Sequence, residues 1–235
     1  MSMQNGKGEG GAPSPFNPTS SFSRLELAQV RQVIYQLFGS LFLYPRADRV
    51  AAWKAVAAQL VQDEAVWLNF PFHESWLRLL HLLVDFADAD QLAIEEEYVR
   101  LFTVNPVAIP QESFYVDVEG LAHGLIMAHL EQEYRESGLE TSSDIVESPD
   151  HVAVELEFMA FLCDKEGQAL RITLYEEANQ LWGQQRTFLR KHLGRWFPKF
   201  AKRAKNAEPN RLYASLNEAA FLFLRHELSL LGIHH

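Results

Sequence analysis

The sequence predicts an all-α fold, a single globular bundle of about nine helices. Apolar residues recur at intervals of three and four along most of the chain, which is the spacing of a buried helix face. Alternating, strand-like runs are nearly absent, and "FYVDV" (114–118) is too short to begin a sheet. An apolar content of 48% in 235 residues is ample for a core.

The first helix is predicted from "RLELAQVRQVIYQLFGSLFLY" (24–44), and Pro45 ends it. The other helices follow from the same periodicity, and no segment repeats another at a fixed interval. Their predicted ranges are 46–61, 73–87, 90–102, 119–137, 149–165, 172–193, 195–205 and 210–231.

The first 23 residues differ in composition from the rest of the chain. "MSMQNGKGEGGAPSPFNPTSSFS" is rich in Gly, Pro and Ser and lacks the apolar centre of a secretory signal, so we expect a disordered tail. Residues 24–233 are then one helical domain. No apolar run approaches the ~18 residues of a membrane span, so we expect no membrane insertion.

The charge of the molecule is unevenly distributed. A net charge of −10 argues against a general nucleic-acid binder. Nine of the 21 Lys and Arg residues lie within 186–211, where Glu208 is the only acid, so that segment carries +8 and the remainder −18. The favoured interpretation is a solvated basic helix pair whose aromatic residues pack inward. Contact of this segment with nucleic acid, an anionic membrane or another protein is the alternative.

The motifs of common enzymes are missing from the sequence. Cys163 is the only cysteine, which excludes a disulfide framework and a cysteine-rich metal site. A di-metal helical bundle needs Glu and His three residues apart, whereas the pairs here are four apart. No HExxH, GxSxG, phosphate loop or dinucleotide fingerprint occurs. We therefore expect no metal, no cofactor and no enzymatic activity, which leaves binding.

Two long connections stand out. "TVNPVAIPQESFYVD" (103–117) carries Pro106 and Pro110, which block helix and stiffen an extended path. "ETSSDIVES" (140–148) is polar and leads into the next helix. Loops of this length in a compact domain are usually functional or disordered.

That next helix begins within "ESPDHVAVELEFMAFL" (147–162). We expect Ser148 to be its N-cap and Pro149 its first helical residue, with Asp150 favoured by the positive helix end. These local effects do not explain His151. Apolar residues on two sides of the helix predict that it is central.

The polar cluster at the start of this helix has two interpretations. Glu147, Asp150, His151 and Glu155 lie close in sequence, and His151 shares a helix face with Glu155. One interpretation is a buried, satisfied His–Glu pair. The other is a binding site for a partner.

Three stretches, in order, resemble the TorD/DmsD/NarJ family of redox enzyme maturation chaperones. They are "EEYVRLFTVNPVAIPQESFYVD", "SPDHVAVELEFMAFL" and "FLRKHLGRWFPKF", and the resemblance runs from about residue 28 to residue 225. The resemblance implies an all-helical, cytoplasmic, non-enzymatic chaperone, as monomer or homodimer. Such proteins bind the twin-arginine signal peptide of a molybdenum-cofactor oxidoreductase and hold the apoenzyme until the cofactor is inserted, which prevents premature export.

The resemblance also implies a peptide-binding site. The corresponding positions here are Tyr98, Leu101, Phe102, Pro110, Gly124, Asp150 and His151, with Ser113 and Tyr115 in the same loop motif. Glu147 matches the acid that opens the family's Glu-Pro-x-Asp-His signature. The chain departs from the family pattern at two places: Ser148 replaces the signature's proline, and Gln111 stands where some relatives carry an aromatic residue.

Elementary chemistry supports such a site, since arginine pairs bidentately with a carboxylate. Glu147 and Asp150 are the candidate charges at the mouth of an apolar groove. Its candidate walls are Tyr98, Leu101, Phe102 and Tyr115. For His151 we hypothesise that it orients Asp150 or bonds a peptide carbonyl, in which case His151→Ala weakens binding without changing thermal stability.

Each residue of this site also has a structural interpretation. Leu101 and Phe102 are typical core residues, and Gly124 would permit close helix packing.

Three other functions remain open. One is a NarJ-like assembly factor for a non-exported or membrane-associated molybdoenzyme, which recognises a terminal helix without twin arginines. Another is a weak GTP-binding or GTP-hydrolysing protein, against which the missing phosphate loop argues. The third is a helical scaffold whose acidic cluster is only solvated surface.

Overall fold

The computed structural model describes residues 22–116, 122–139 and 147–233. Within these ranges the chain forms ten α-helices and one isolated antiparallel bridge, with no strand, so the all-α prediction is confirmed. The predicted tail lies outside the described residues except for Phe22 and Ser23, and so do most of residues 140–148. No helix among the described residues combines the length and apolarity needed to cross a membrane.

The helices correspond to all nine predicted segments, and one single-turn helix was not predicted. Three short 3-10 turns, at Val61–Asp63, Asp88–Asp90 and Glu112–Phe114, accompany them. The helices are α1 Arg24–Leu41, α2 Ala47–Leu60, α3 Glu64–Trp67, α4 His73–Val84, α5 Gln91–Phe102, α6 Ala122–Glu136, α7 Val152–Arg171, α8 Tyr175–Lys191, α9 Leu193–Asn206 and α10 Arg211–Leu230.

Ser23 begins α1 with a reciprocal cap. The Ser23 hydroxyl accepts a hydrogen bond from the backbone N–H of Glu26 at 3.2 Å, and the Glu26 carboxylate accepts one from the N–H of Ser23 at 2.7 Å. These two bonds satisfy amides that a helix start leaves free. Helix α1 ends at Leu41, three residues before the predicted end, and Pro45 disfavours a helical conformation at Tyr44, the residue before it.

Helix α7 is central, as predicted. It packs against α1, α8 and α9. Leu156, Met159 and Cys163 are fully buried on one side, and Phe158 is buried on the other. The predicted bounds of this helix were wrong, because it begins at Val152 rather than Pro149 and continues to Arg171.

A buried ionic network joins α1 to α7 and α10. The Arg31 guanidinium donates to both carboxylate oxygens of Glu227, with distances of 2.6–2.9 Å. Glu227 also accepts from the Tyr35 hydroxyl at 2.8 Å. The Glu166 carboxylate of α7 accepts a hydrogen bond from the Arg24 guanidinium at 2.8 Å. Because all these carboxylates are buried, each depends on its cation.

Helix α9 separates its residues by polarity. Trp196, Phe197 and Phe200 are buried, whereas Lys202 and Lys205 are exposed. The aromatic residues of the basic segment therefore pack inward and most of its cations stay in solvent, as expected.

Candidate functional site

The two long connections meet at the N-terminal end of α7. The N–H of Glu112 donates to the carbonyl of Asp150 at 2.9 Å, and the N–H of Val152 donates to the carbonyl of Pro110 at 2.8 Å. Gln111 and His151 form the isolated antiparallel bridge. The loop of residues 103–116 is therefore fastened by its backbone to residues 150–152.

The carboxylate of Asp150 holds this junction together. Its Oδ1 accepts from the Ser148 hydroxyl at 2.7 Å and its Oδ2 accepts from the N–H of Ser113 at 3.2 Å. The Gln111 amide donates to the Ser148 hydroxyl at 2.8 Å. Asp150 is only 1% exposed, so in this conformation it presents no free carboxylate to a ligand.

His151, rather than Ser148, caps α7. Its backbone is extended (φ −75°, ψ 139°), and its Nδ1 accepts a hydrogen bond from the N–H of Ala153 at 3.2 Å. The prediction that Ser148 is the N-cap and Pro149 the first helical residue was wrong. The Ser148 hydroxyl is bound to Asp150, and the bonds to the loop of residues 103–116 hold residues 150–152 at the helix start.

The imidazole of His151 is neutral in this structure. Burial lowers its pKa to about 4, against a smaller opposing effect of Asp150. A neutral ring is required for Nδ1 to accept a bond from Ala153. The Nε2 lies 3.7 Å from a carboxylate oxygen of Glu147. The capping bond gives His151 a structural role, in contrast to the hypothesis that it orients Asp150.

Glu147 is the accessible acid of the predicted site. Its side chain is 34% exposed. Burial of the rest raises its pKa, and the positive charge of Arg49 opposes that rise. Burial is also the main reason why the pKa of Tyr98 is raised, and the charge of Glu147 adds to it. The half-buried carboxylate of Glu147 is therefore near enough to Tyr98 for its charge to act on the phenol.

The predicted groove walls are mostly buried. Leu101 is fully buried and Phe102 nearly so, which agrees with the core interpretation of both. The Tyr98 hydroxyl donates to the carbonyl of Phe42 at 3.2 Å. Tyr44 is an exposed aromatic residue of this region, and its ring lies 5.5 Å from that of Tyr98 in an edge contact. Tyr44 ends the predicted first helix and carried no motif that singled it out.

Tyr115 connects the loop to α9. Its ring stacks on Trp196 with centroids 5.5 Å apart, and the Arg203 guanidinium lies over the Tyr115 ring, 5.6 Å from its centroid. Its carbonyl accepts from the Lys199 ammonium at 2.9 Å. Burial raises the pKa of Tyr115 to about 12, so the phenol is neutral near pH 7.

Gly124 does not serve close packing among the described residues. It is exposed, and a Cβ added there would meet no described atom within 4 Å. Pro110, by contrast, is buried and its carbonyl holds the start of α7.

Beneath the junction lies a group of buried acids that the sequence did not reveal. The Trp196 indole donates to both oxygens of Glu155 at 3.2 and 3.1 Å, so Glu155 does not form the predicted pair with His151. The His192 Nδ1 lies 2.7 Å from a carboxylate oxygen of Glu112. Burial raises the pKa of Glu155, and the neighbouring Glu112 adds to the rise, which favours the protonated acid.

His192 also reaches α6. Its Nε2 lies 3.6 Å from Glu133, which pairs with Lys191 at 3.1 Å. Bonding to His192 is the main reason why the pKa of Glu133 falls to about 2. Burial lowers the pKa of His192, but Glu112 and Glu133 together outweigh it, so the pKa is raised overall.

The described residues offer no metal site, and a cleft lies beside the junction. Among the described ranges, no group of three or more His, Cys, Asp and Glu side chains is arranged to hold a metal ion. A cleft of about 400 Å³ is lined by Glu112 and Val116 of the loop together with Leu125 and His192. Glu147, Asp150 and His151 do not line this cleft.

The chain is similar to two named proteins and to one solved structure. Chaperone protein TorD of Vibrio parahaemolyticus serotype O3:K6 is 26% identical over 203 residues, which cover 83% of this chain and 91% of that protein. The chlorate reductase assembly chaperone protein of Ideonella dechloratans is 32% identical over 147 residues, 61% of this chain and 74% of that protein. A crystal structure from Archaeoglobus fulgidus, assigned to redox enzyme maturation, covers 83% of this chain with a TM-score of 0.55 at 23% identity.

The structural similarity covers 93% of the Archaeoglobus chain and shows a shared fold. The family model described as nitrate reductase delta subunit matches residues 68–202, more than half of the chain. That range contains the loop of residues 103–116, the start of α7 and most of α9. The chain therefore belongs to the nitrate reductase delta subunit family, which includes the TorD-like redox enzyme maturation chaperones.

Proposed function

We propose that this protein is a cytoplasmic chaperone for the catalytic subunit of a molybdenum-cofactor oxidoreductase. It binds the twin-arginine signal peptide and the apo form of that subunit, supports cofactor insertion and prevents premature export. The relatives named TorD chaperone and chlorate reductase assembly chaperone support this function. In this proposal the protein binds its client and catalyses no reaction.

The observation that carries the proposal is the half-buried carboxylate of Glu147, whose charge acts on Tyr98, the residue whose ring Tyr44 contacts. An arginine of the leader pairs with this carboxylate bidentately. Because the carboxylate is partly removed from water, the pair is stronger than one at a fully exposed site. The positive charge of Arg49 already acts on the same carboxylate and opposes the approach of an incoming arginine.

Exposed apolar residues near the site suit the uncharged stretch that follows the two arginines. Tyr44 is 38% exposed, and Val104 and Val107 of the loop are exposed to a greater extent. Covering them removes apolar surface from water, which contributes about 25 cal/mol per Å². The bonds of Pro110, Glu112 and Asp150 hold the loop that carries the two valines in place.

Most of the predicted site residues are of two kinds. Glu147 is the one we expect to contact the leader, and exposed Gly124 has no assigned role. The buried members support the surface from beneath: Tyr98, Leu101, Phe102, Pro110, Ser113, Tyr115, Asp150 and His151. This division explains how a family-wide set of positions serves binding although most of its members are inaccessible.

The test is isothermal titration of the purified protein with a twin-arginine leader peptide and with its Lys-Lys variant. We expect the Arg-Arg peptide to bind more tightly, since lysine cannot form the bidentate pair. Equal affinities would remove the export-linked function and favour a NarJ-like assembly factor that recognises a terminal helix. A GTP turnover assay on the same sample tests the remaining enzymatic alternative.

A further inference from the structure

A groove of about 590 Å³ lies between α9 and α10. Pro198 and Ala201 line it from α9, and Ala214 and Phe221 line it from α10. Proline and alanine leave space that longer side chains would fill, and Phe221 is only half-buried. A volume of this size is within the range of ligand and short-peptide sites.

This groove lies on the opposite side of α9 from the loop of residues 103–116. Lys199 and Arg203 contact Tyr115 in that loop. Successive residues of a helix are rotated by about 100°, so Ala201 and Lys205 point away from that contact. An occupant of the groove therefore does not displace the contact between α9 and that loop.

The groove is bordered by cations that lack partners. Lys202 and Lys205 both line it, and neither forms an ion pair or a side-chain hydrogen bond among the described residues. Of the two acids that line it, Glu218 is already paired with Arg78 at 2.7 Å, which leaves Glu208 at the turn between the helices. Helix α9 itself contains five cations and no acid. The local field therefore attracts anions.

The floor of the groove contains an acceptor without a donor. Asn217 is 8% exposed, and its Nδ2 donates to the carbonyl of Ala201 at 2.9 Å. Its Oδ1 has no hydrogen-bond partner among the described residues. A buried acceptor in this state is costly, and an N–H donor brought to it removes that cost.

We propose that this groove binds an acidic peptide segment of another protein. Carboxylates of the segment pair with Lys202 and Lys205, and its apolar side chains cover Pro198 and Phe221. A backbone N–H of the segment reaches Asn217. This occupant is negatively charged, whereas a twin-arginine leader is positively charged. The protein thus has one docking surface for an acidic peptide and another for a basic one.

The test uses a fluorescently labelled peptide of Glu, Ala and Leu, with acetylated and amidated ends, and a matched peptide in which every Glu is Gln. Anisotropy titration of the full-length protein is expected to give binding that is about tenfold tighter for the Glu peptide. The double variant Lys202→Gln/Lys205→Gln should weaken binding of the Glu peptide about fivefold to tenfold. The control, Lys165→Gln/Arg171→Gln on α7, changes net charge equally and should leave affinity unchanged.

A second pair of variants changes the charge at one exposed position of the groove. Ala214→Lys should strengthen binding of the Glu peptide and Ala214→Glu should weaken it, while both residues suit a helix. Circular dichroism checks that each variant is folded. Equal affinities for the two peptides, equal effects of the two double variants, or no saturable binding at on the order of 1 mM peptide would overturn the proposal.

Discussion

The imidazole Nδ1 of His151 accepts a hydrogen bond from the backbone N–H of Ala153, 3.2 Å away, at the first turn of α7. This bond satisfies one of the amides that a helix start leaves without a partner. It also requires a neutral, buried ring, which the lowered pKa supports. The histidine of the family signature thus acts on the helix, and through the helix on the loops attached to it.

His151→Ala is expected to destabilise the protein by about 1–2 kcal/mol, because the cap is lost. His151→Asn keeps a side-chain oxygen that can cap the helix, so this variant should lose less stability than His151→Ala. Chemical denaturation of both variants measures the difference. If His151→Ala keeps the wild-type free energy of unfolding and instead weakens leader binding, the hypothesis of a peptide-contacting imidazole is restored.

Acidification should destabilise the protein through the same residue. The folded-state pKa of His151 is about 4, whereas an unfolded histidine titrates near 6.5. As the pH falls from about 6.5 to about 4, the unfolded state takes up a proton that the folded state refuses, so the free energy of unfolding decreases. His151→Asn should show a shallower decrease in urea titrations across this window. Equal slopes in both proteins would contradict the assignment.

The ion pair between Arg31 and Glu227 should be costly to break from one side. In Arg31→Met the buried Glu227 carboxylate keeps only the hydrogen bond from the Tyr35 hydroxyl. We therefore expect the free energy of unfolding to decrease by about 3–5 kcal/mol. Arg31→Met/Glu227→Gln removes the stranded charge and should recover part of that loss. Thermal and urea unfolding compare the two, and a double variant no more stable than the single one would refute the explanation.

Two glycines offer a matched test of packing. A Cβ at Gly194 would lie 2.6 Å from the Leu189 carbonyl oxygen and 2.7 Å from a Leu228 methyl carbon, so Gly194→Ala should destabilise by about 1–3 kcal/mol. At Gly183, within α8, no described atom lies within 4 Å of a Cβ. Gly183→Ala should therefore stabilise by about 0.5–1 kcal/mol. Differential scanning calorimetry should show opposite shifts, and shifts of the same sign would argue against this packing.

The helices were predictable because their periodicity is a local property of the sequence. The start of α7 was not, because it depends on bonds from Pro110 and Glu112, some 40 residues earlier in the chain. Those bonds fix residues 150–152 in place and leave the capping role to His151 rather than Ser148. A local pattern of Ser followed by Pro contains no information about such a partner.

The candidate site was predictable in its location more than in its roles. Periodicity alone did not show that Asp150 and Glu155 are both buried, since each is a charged residue near a helix start. Their partners, Ser113 and Trp196, come from distant segments. The one available signal was Glu155 itself, which together with Glu157 interrupts an otherwise apolar part of α7.

The most direct test of the central proposal compares Glu147→Gln with Glu177→Gln, an equal change of charge at an exposed position of α8. Isothermal titration with a twin-arginine leader should show about tenfold weaker binding for Glu147→Gln and wild-type affinity for Glu177→Gln, with unchanged unfolding temperatures. Wild-type affinity in Glu147→Gln would contradict the proposal that this carboxylate receives the leader.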